Sequence, residues 1–136
     1  MTMRYLLDTH AFLWMADDDP RLDGNVRTLF ADLENEIFLS AASVWEMATK
    51  SSLGKLMLGT TLERLVAGGV QRGIRLLEVV CEHAYLVEHL PFHHRDPFDR
   101  MLVAQASHAG LQLVSRDPKF DAYPVTRVWD RVYTKD

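Results

Sequence analysis

Four separated stretches of this chain end an apolar run, or open the helix beside it, with a carboxylate. Asp8 follows Tyr5-Leu6-Leu7, Glu46 lies beyond Ile37-Phe38-Leu39, Asp99 stands in Arg95-Asp96-Pro97-Phe98-Asp99-Arg100, and Asp117 follows Leu113-Val114-Ser115. Short apolar runs of this kind read as buried strands. An open α/β sheet gathers what lies just past the carboxyl ends of its strands into one crevice, so the acids are expected to converge. Convergence is costly: two unit charges about 4 Å apart repel by roughly 4 kcal/mol at an effective dielectric of 20. Protons or cations must neutralise such a cluster. A set of hard oxygen donors favours Mg²⁺ or Mn²⁺ over Zn²⁺.

The rest of the chain fits that frame. Strand-like and helix-like stretches alternate, the signature of a mainly parallel sheet wrapped by helices. Strands are predicted at 3–8, 37–39, 74–80, 111–115 and 125–128, and helices at 9–16, 22–33, 43–52, 61–72, 82–90 and 97–109. Val26, Leu29, Phe30 and Leu33 recur at helical spacing, Gly54 and Gly110 are stop signals, and Pro97 suits a first helical position. With 136 residues, 48% of them hydrophobic, the chain is read as one domain over 1–136 with one sizeable core.

Composition excludes several classes. The lone cysteine, Cys81, forms no internal disulfide and no thiolate metal site, compatible with a reducing cytosol. No apolar run approaches a membrane span and no export signal is read, so a cytoplasmic location without membrane attachment is expected. A net charge of −4 argues against broad nucleic-acid binding by charge alone. A local basic rim is compatible with it: Arg95, Arg100, Arg116 and Lys119 neighbour the acids and are candidates for holding phosphates.

Each acid also has a local explanation. Ser43-Val44-Trp45-Glu46 matches a capping box, which would turn Glu46 back onto the Ser43 backbone. Asp96 before Pro97 is a natural N-cap, Asp99 suits a first helical turn, and Asp117-Pro118 suits a turn or a cap. Asp8 resists this treatment, because Thr9 is available for capping. Local explanations do not account for all four acids following strands. His10 is a possible phosphate contact, whereas His93-His94 reads as solvated and His83, His89 and His108 form no constellation. Trp14, Trp45 and Trp129 read as core or interface residues.

The segments 6–14, 40–50, 94–106 and 113–117, together with Gly54-Lys55-Leu56, resemble in order the motifs of PIN-domain proteins, and among these the VapC-type ribonuclease toxins of type II toxin–antitoxin pairs. The resemblance fades over 57–90. It implies a three-layer α/β/α sandwich with a central, mainly parallel sheet and an Mg²⁺- or Mn²⁺-dependent endoribonuclease. Asp8, Glu46, Asp99 and Asp117 match the family's catalytic, metal-holding acids. Asp96 is an additional acid whose role stays open. A metal-activated water would hydrolyse the RNA phosphodiester without a covalent enzyme intermediate. The resemblance further implies a homodimer and a cognate antitoxin protein. A catalytically inactive PIN-like module that binds RNA or protein is the alternative, and a DNA nuclease stays open because phosphate chemistry does not read the sugar. A dehalogenase-like phosphatase would want an acid two residues after Asp8, where His10 stands.

Overall fold

The structure is a computed structural model and describes residues 2–130. Five parallel strands form its centre: β1 (Arg4–Leu7), β2 (Glu36–Ser40), β3 (Arg75–Leu77), β4 (Gln112–Val114) and β5 (Arg127–Val128), in the order β3-β2-β1-β4-β5. The helices are α1 (Thr9–Ala16), α2 (Gly24–Ala31), α3 (Ala41–Ser52), α4 (Leu62–Gln71), α5 (Cys81–His89) and α6 (Pro97–Ala109), and a short 3₁₀ turn spans Pro118–Ala122. None of the helices among the described residues is long and apolar enough to cross a membrane.

Alternation along the strands splits the core in two. Tyr5 and Leu7 of β1, Ile37 and Leu39 of β2 and Val114 of β4 face one side, where they pack with Phe12 and Met15 of α1 and Val26 and Leu29 of α2. Leu6 and Leu113 point the other way, onto Leu102, Val103 and Ala106 of α6 and onto Phe120 and Tyr123. Strands buried on both faces read as continuous apolar runs, which is why β1 and β4 stand out in the sequence. The expected α/β/α sandwich is therefore the observed architecture.

Element boundaries shift from the sequence expectation wherever a better cap lies nearby. The second helix is two residues shorter at each end than its apolar pattern, because Asp23 accepts from the Asn25 N–H and starts it at Gly24. Helix α3 starts at Ala41, since the Ser40 hydroxyl accepts from the Ala42 N–H at 2.9 Å. Ser43 is consequently inside the helix and the expected capping box with Glu46 does not form. The strand expected over 74–80 keeps only three residues at the sheet edge. Helix α6 matches its expected span, capped by Asp96 and ended by Gly110 in the left-handed region at φ 67°.

Candidate metal centre

Strand order reverses between β1 and β4: the chain winds outward through β2 and β3 on one side, and through β5 on the other. Such a switch point leaves a crevice beyond the carboxyl ends of the two strands. Asp8 follows β1 and Asp117 lies three residues beyond β4. Helix α6 precedes β4 and runs back along the sheet, so its first turn, with Asp96 and Asp99, opens at the same edge. Helix α3 follows β2 and adds Glu46. The result is a cleft of about 140 Å³ lined by Asp8, Thr9, His10, Glu46, Lys50, Asp96, Asp99, Asp117 and Phe120. The four acids expected to meet do meet, with Asp96 beside them.

Asp8, Glu46, Asp96 and Asp117 are each held by specific donors. The Asp8 backbone N–H donates to the Val114 carbonyl at 3.0 Å, locking it to β4, and its carboxylate accepts from the Ala11 N–H at 2.8 Å as the cap of α1. Asp8 itself thus does the capping that the sequence left to Thr9. The Thr9 hydroxyl instead donates to Glu46 Oε1 at 2.5 Å, while Lys50 Nζ lies 2.5 Å from Glu46 Oε2. Glu46 is only 4% exposed. Ser115, fully buried, hydrogen-bonds Asp8 and accepts from the Asp117 N–H at 3.0 Å, tying the two strand ends together. Asp117 accepts from the Lys119 N–H at 2.9 Å and lies 3.2 Å from His94 Nε2. Asp96 accepts from the Phe98 N–H at 2.8 Å, so this extra acid is a helix cap that also faces the cleft.

Crowding shows in the acidities. Burial raises the Asp8 carboxyl above its ordinary value, a shift that the Ser115 and Ala11 hydrogen bonds oppose. Asp99 is pushed up to about 7, first by burial and then by the charges of Asp96, Glu46, Asp8 and Asp117. Five carboxylates in one partly buried cleft are what a divalent cation neutralises, and their oxygens are the hard donors that Mg²⁺ and Mn²⁺ take. Among the described residues, no three His, Cys, Asp or Glu side chains stand arranged around one point as a finished ligand set. The donor chemistry fits the ion, and the carboxylates are turned toward Thr9, Lys50, Ala11, Lys119 and His94 instead.

Several residues differ from their sequence reading. Arg100 is only 6% exposed and donates to the carbonyls of Pro91 at 2.9 Å, Val87 at 2.9 Å and Leu90 at 3.1 Å, so it braces the loop before α6 and holds no phosphate. Arg95, Arg116 and Lys119 are exposed. His94, read as solvated, is buried and stacked on Phe120 and Tyr123 with centroids at 4.5 and 5.6 Å. Trp45 is 67% exposed, edge-on to Phe98 at 5.2 Å. Trp129 is buried, as expected, and Trp14 packs against it. Phe12 is fully buried in the core. Thr9, Lys50, Ser115 and His94 were not assigned to the site from sequence. Only Lys50 carried a usable local signal, its i,i+4 spacing from Glu46.

No curated protein matches the chain. Solved structures do. The crystal structure of VapBC2 from Rickettsia felis bound to a promoter DNA fragment superposes with a TM-score of 0.71 at 17% identity, covering 94% of this chain and 100% of that one. FitAcB from Neisseria gonorrhoeae gives 0.60 at 21% identity, over 90% and 95% of the two chains. VapC20 from Mycobacterium tuberculosis, a sarcin-ricin loop cleaving toxin, gives 0.61 at 18% identity, over 92% and 98%. At these identities the likeness is one of fold. The PIN domain family model matches residues 5–125, a span that begins on β1 and takes in every acid of the cleft. On that match the chain belongs to the PIN domain family.

Proposed function

We propose that this protein is an Mg²⁺- or Mn²⁺-dependent endoribonuclease acting in the cytoplasm as the toxin of a bacterial toxin–antitoxin pair. The observation that carries the reading is the switch-point cleft, which acids from four separate parts of the chain line together, and where burial and then the neighbouring charges lift Asp99 to about 7. Asp8, Glu46, Asp99 and Asp117 are the residues that would hold the cation. When bound, a divalent cation supplies Lewis acidity, acidifying water and offsetting charge on the phosphoryl oxygens.

The chain's own groups do the rest. Thr9 and Ser115 fix the rotamers of Glu46 and Asp8, the kind of support whose loss typically costs about 10–100-fold in metal affinity or activity. Exposed Arg95, Arg116 and Lys119 supply a basic rim for phosphates flanking the scissile bond. The similar VapC20 is a sarcin-ricin loop cleaving toxin, and the similar VapBC2 and FitAcB support a cognate antitoxin as partner. A homodimer belongs to the same proposal.

The test is a digest of total RNA and of single-stranded DNA, with cut ends mapped, comparing wild type with Asp8→Asn and Asp99→Asn. Cleavage of RNA that requires Mg²⁺ or Mn²⁺, leaves 5′-phosphate ends and falls at least about a hundredfold in both variants is expected. Equal cleavage by wild type and variants removes the site. Preference for DNA makes the protein a DNA nuclease, and no cleavage at all makes it a binding module.

A further inference from the structure

The cleft contains a cation of its own. Lys50, one turn beyond Glu46 on α3, places Nζ 2.5 Å from Glu46 Oε2, lines the same cleft as Asp96 and Asp99, and keeps its side chain 37% exposed while that of Glu46 is 5% exposed. A buried carboxylate without a counter-charge is expensive, and the Thr9 hydroxyl engages only the other oxygen. The oxygen that Lys50 covers is one that a metal ion bound to Glu46 would need.

We propose that Lys50 is the resident counter-ion of the metal-free cleft and competes with a divalent cation for Glu46, so that metal binding requires the ammonium to swing out. The inference rests on the reading of the cleft as a divalent-metal site. Glu46, Asp96 and Asp99 all favour the charged ammonium. The exposed stem gives the side chain room to leave, which a buried ion pair would lack. Lys50 is thus a positioning residue: it keeps the acids from repelling one another apart before the ion arrives, at the cost of weaker ion binding.

A structural salt bridge and a competing counter-ion predict opposite effects on metal affinity. The experiment is calorimetric titration with Mn²⁺ at neutral pH, alongside thermal melts with and without Mn²⁺, for wild type, Lys50→Met, Lys50→Arg and Asp99→Asn. Lys50→Met is expected to melt lower than wild type without metal yet bind Mn²⁺ about five- to tenfold tighter, because the ion meets an uncovered carboxylate. Lys50→Arg, which keeps a cation there, should stay within about twofold of wild type. A Lys50→Met protein that folds only when Mn²⁺ is present also supports the proposal. Unchanged or weaker Mn²⁺ binding by Lys50→Met, or failure to fold even with Mn²⁺, overturns it while leaving the metal site standing. Wild type that binds Mn²⁺ no better than Asp99→Asn overturns the metal site itself, and this proposal with it.

Discussion

Asp99 is where the energetic cost of the cleft can be measured. Its carboxyl titrates near 3.8 in an open chain and near 7 in the folded protein. A raised carboxyl pKa means that the unfolded state releases its proton first. The metal-free fold is therefore unpenalised below about pH 4, loses stability progressively as pH rises, and loses no more above about pH 7. Asp99→Asn is neutral throughout, so without divalent ions it should melt about 3–10 °C above wild type near neutral pH, with the gap closing toward pH 4. Melting curves across that range check the sign; a variant that melts below wild type at neutral pH would mean that burial and the neighbouring acids do not disfavour the charged Asp99 carboxylate. Local sequence was a sound guide to which carboxylates line the cleft, because an apolar run that ends in an acid marks a strand end beside the crevice. It was a poor guide to their partners. His94 meets Asp117 across 23 residues and Thr9 meets Glu46 across 37, and spacing along a chain says nothing about such pairs.

Helix α4 isolates a question at the scale of one element, because Gly68 and Gly69 sit side by side in it and face different surroundings. A Cβ on Gly68 meets nothing within 4 Å, whereas one on Gly69 would come within 2.9 Å of Cε1 of the fully buried Phe12. Gly68→Ala should stabilise the protein by about 0.5–1 kcal/mol through helix propensity and a less flexible unfolded chain. Gly69→Ala gains the same terms but forces the Phe12 ring to move, and overpacking of about 1–3 kcal/mol should leave it less stable than wild type. Urea melts of the two variants are expected to move in opposite directions, and a shared direction would mean that α1 and α4 do not touch through Phe12. The sequence predicted this helix in spite of the glycines, without a reason for them; close approach to α1 is the reason for Gly69. Caps tell a similar story. Ser40 and Ser43 are equivalent in composition, and only the end of β2 decides that Ser40 begins α3.

For the molecule as a whole, charge distribution matters more than net charge. The chain carries −4, much of it gathered in one cleft, while Arg95, Arg116 and Lys119 remain exposed near it. Single-stranded RNA bound along that rim should displace counterions, with a salt slope that falls by about 0.7 for each phosphate contact removed. Measured with Asp99→Asn to prevent cleavage, the further change Arg116→Ala with Lys119→Ala should flatten the slope of log affinity against log salt by about 1–1.5. Arg100→Ala should instead destabilise the fold, since its guanidinium satisfies three backbone carbonyls. An unchanged slope in the rim variant would place the RNA elsewhere. Sequence by itself determined the strand–helix alternation, the parallel sheet and the identity of the acids, because periodicities of two and 3.6 residues record which face each side chain buries. Tertiary structure alone decided that Arg100 turns inward, that His94 stacks beneath Asp117, that Trp45 faces solvent and that Lys50 stands among the acids. Those outcomes depend on which loops the strand order β3-β2-β1-β4-β5 brings to one edge, and that order is set by packing between distant segments.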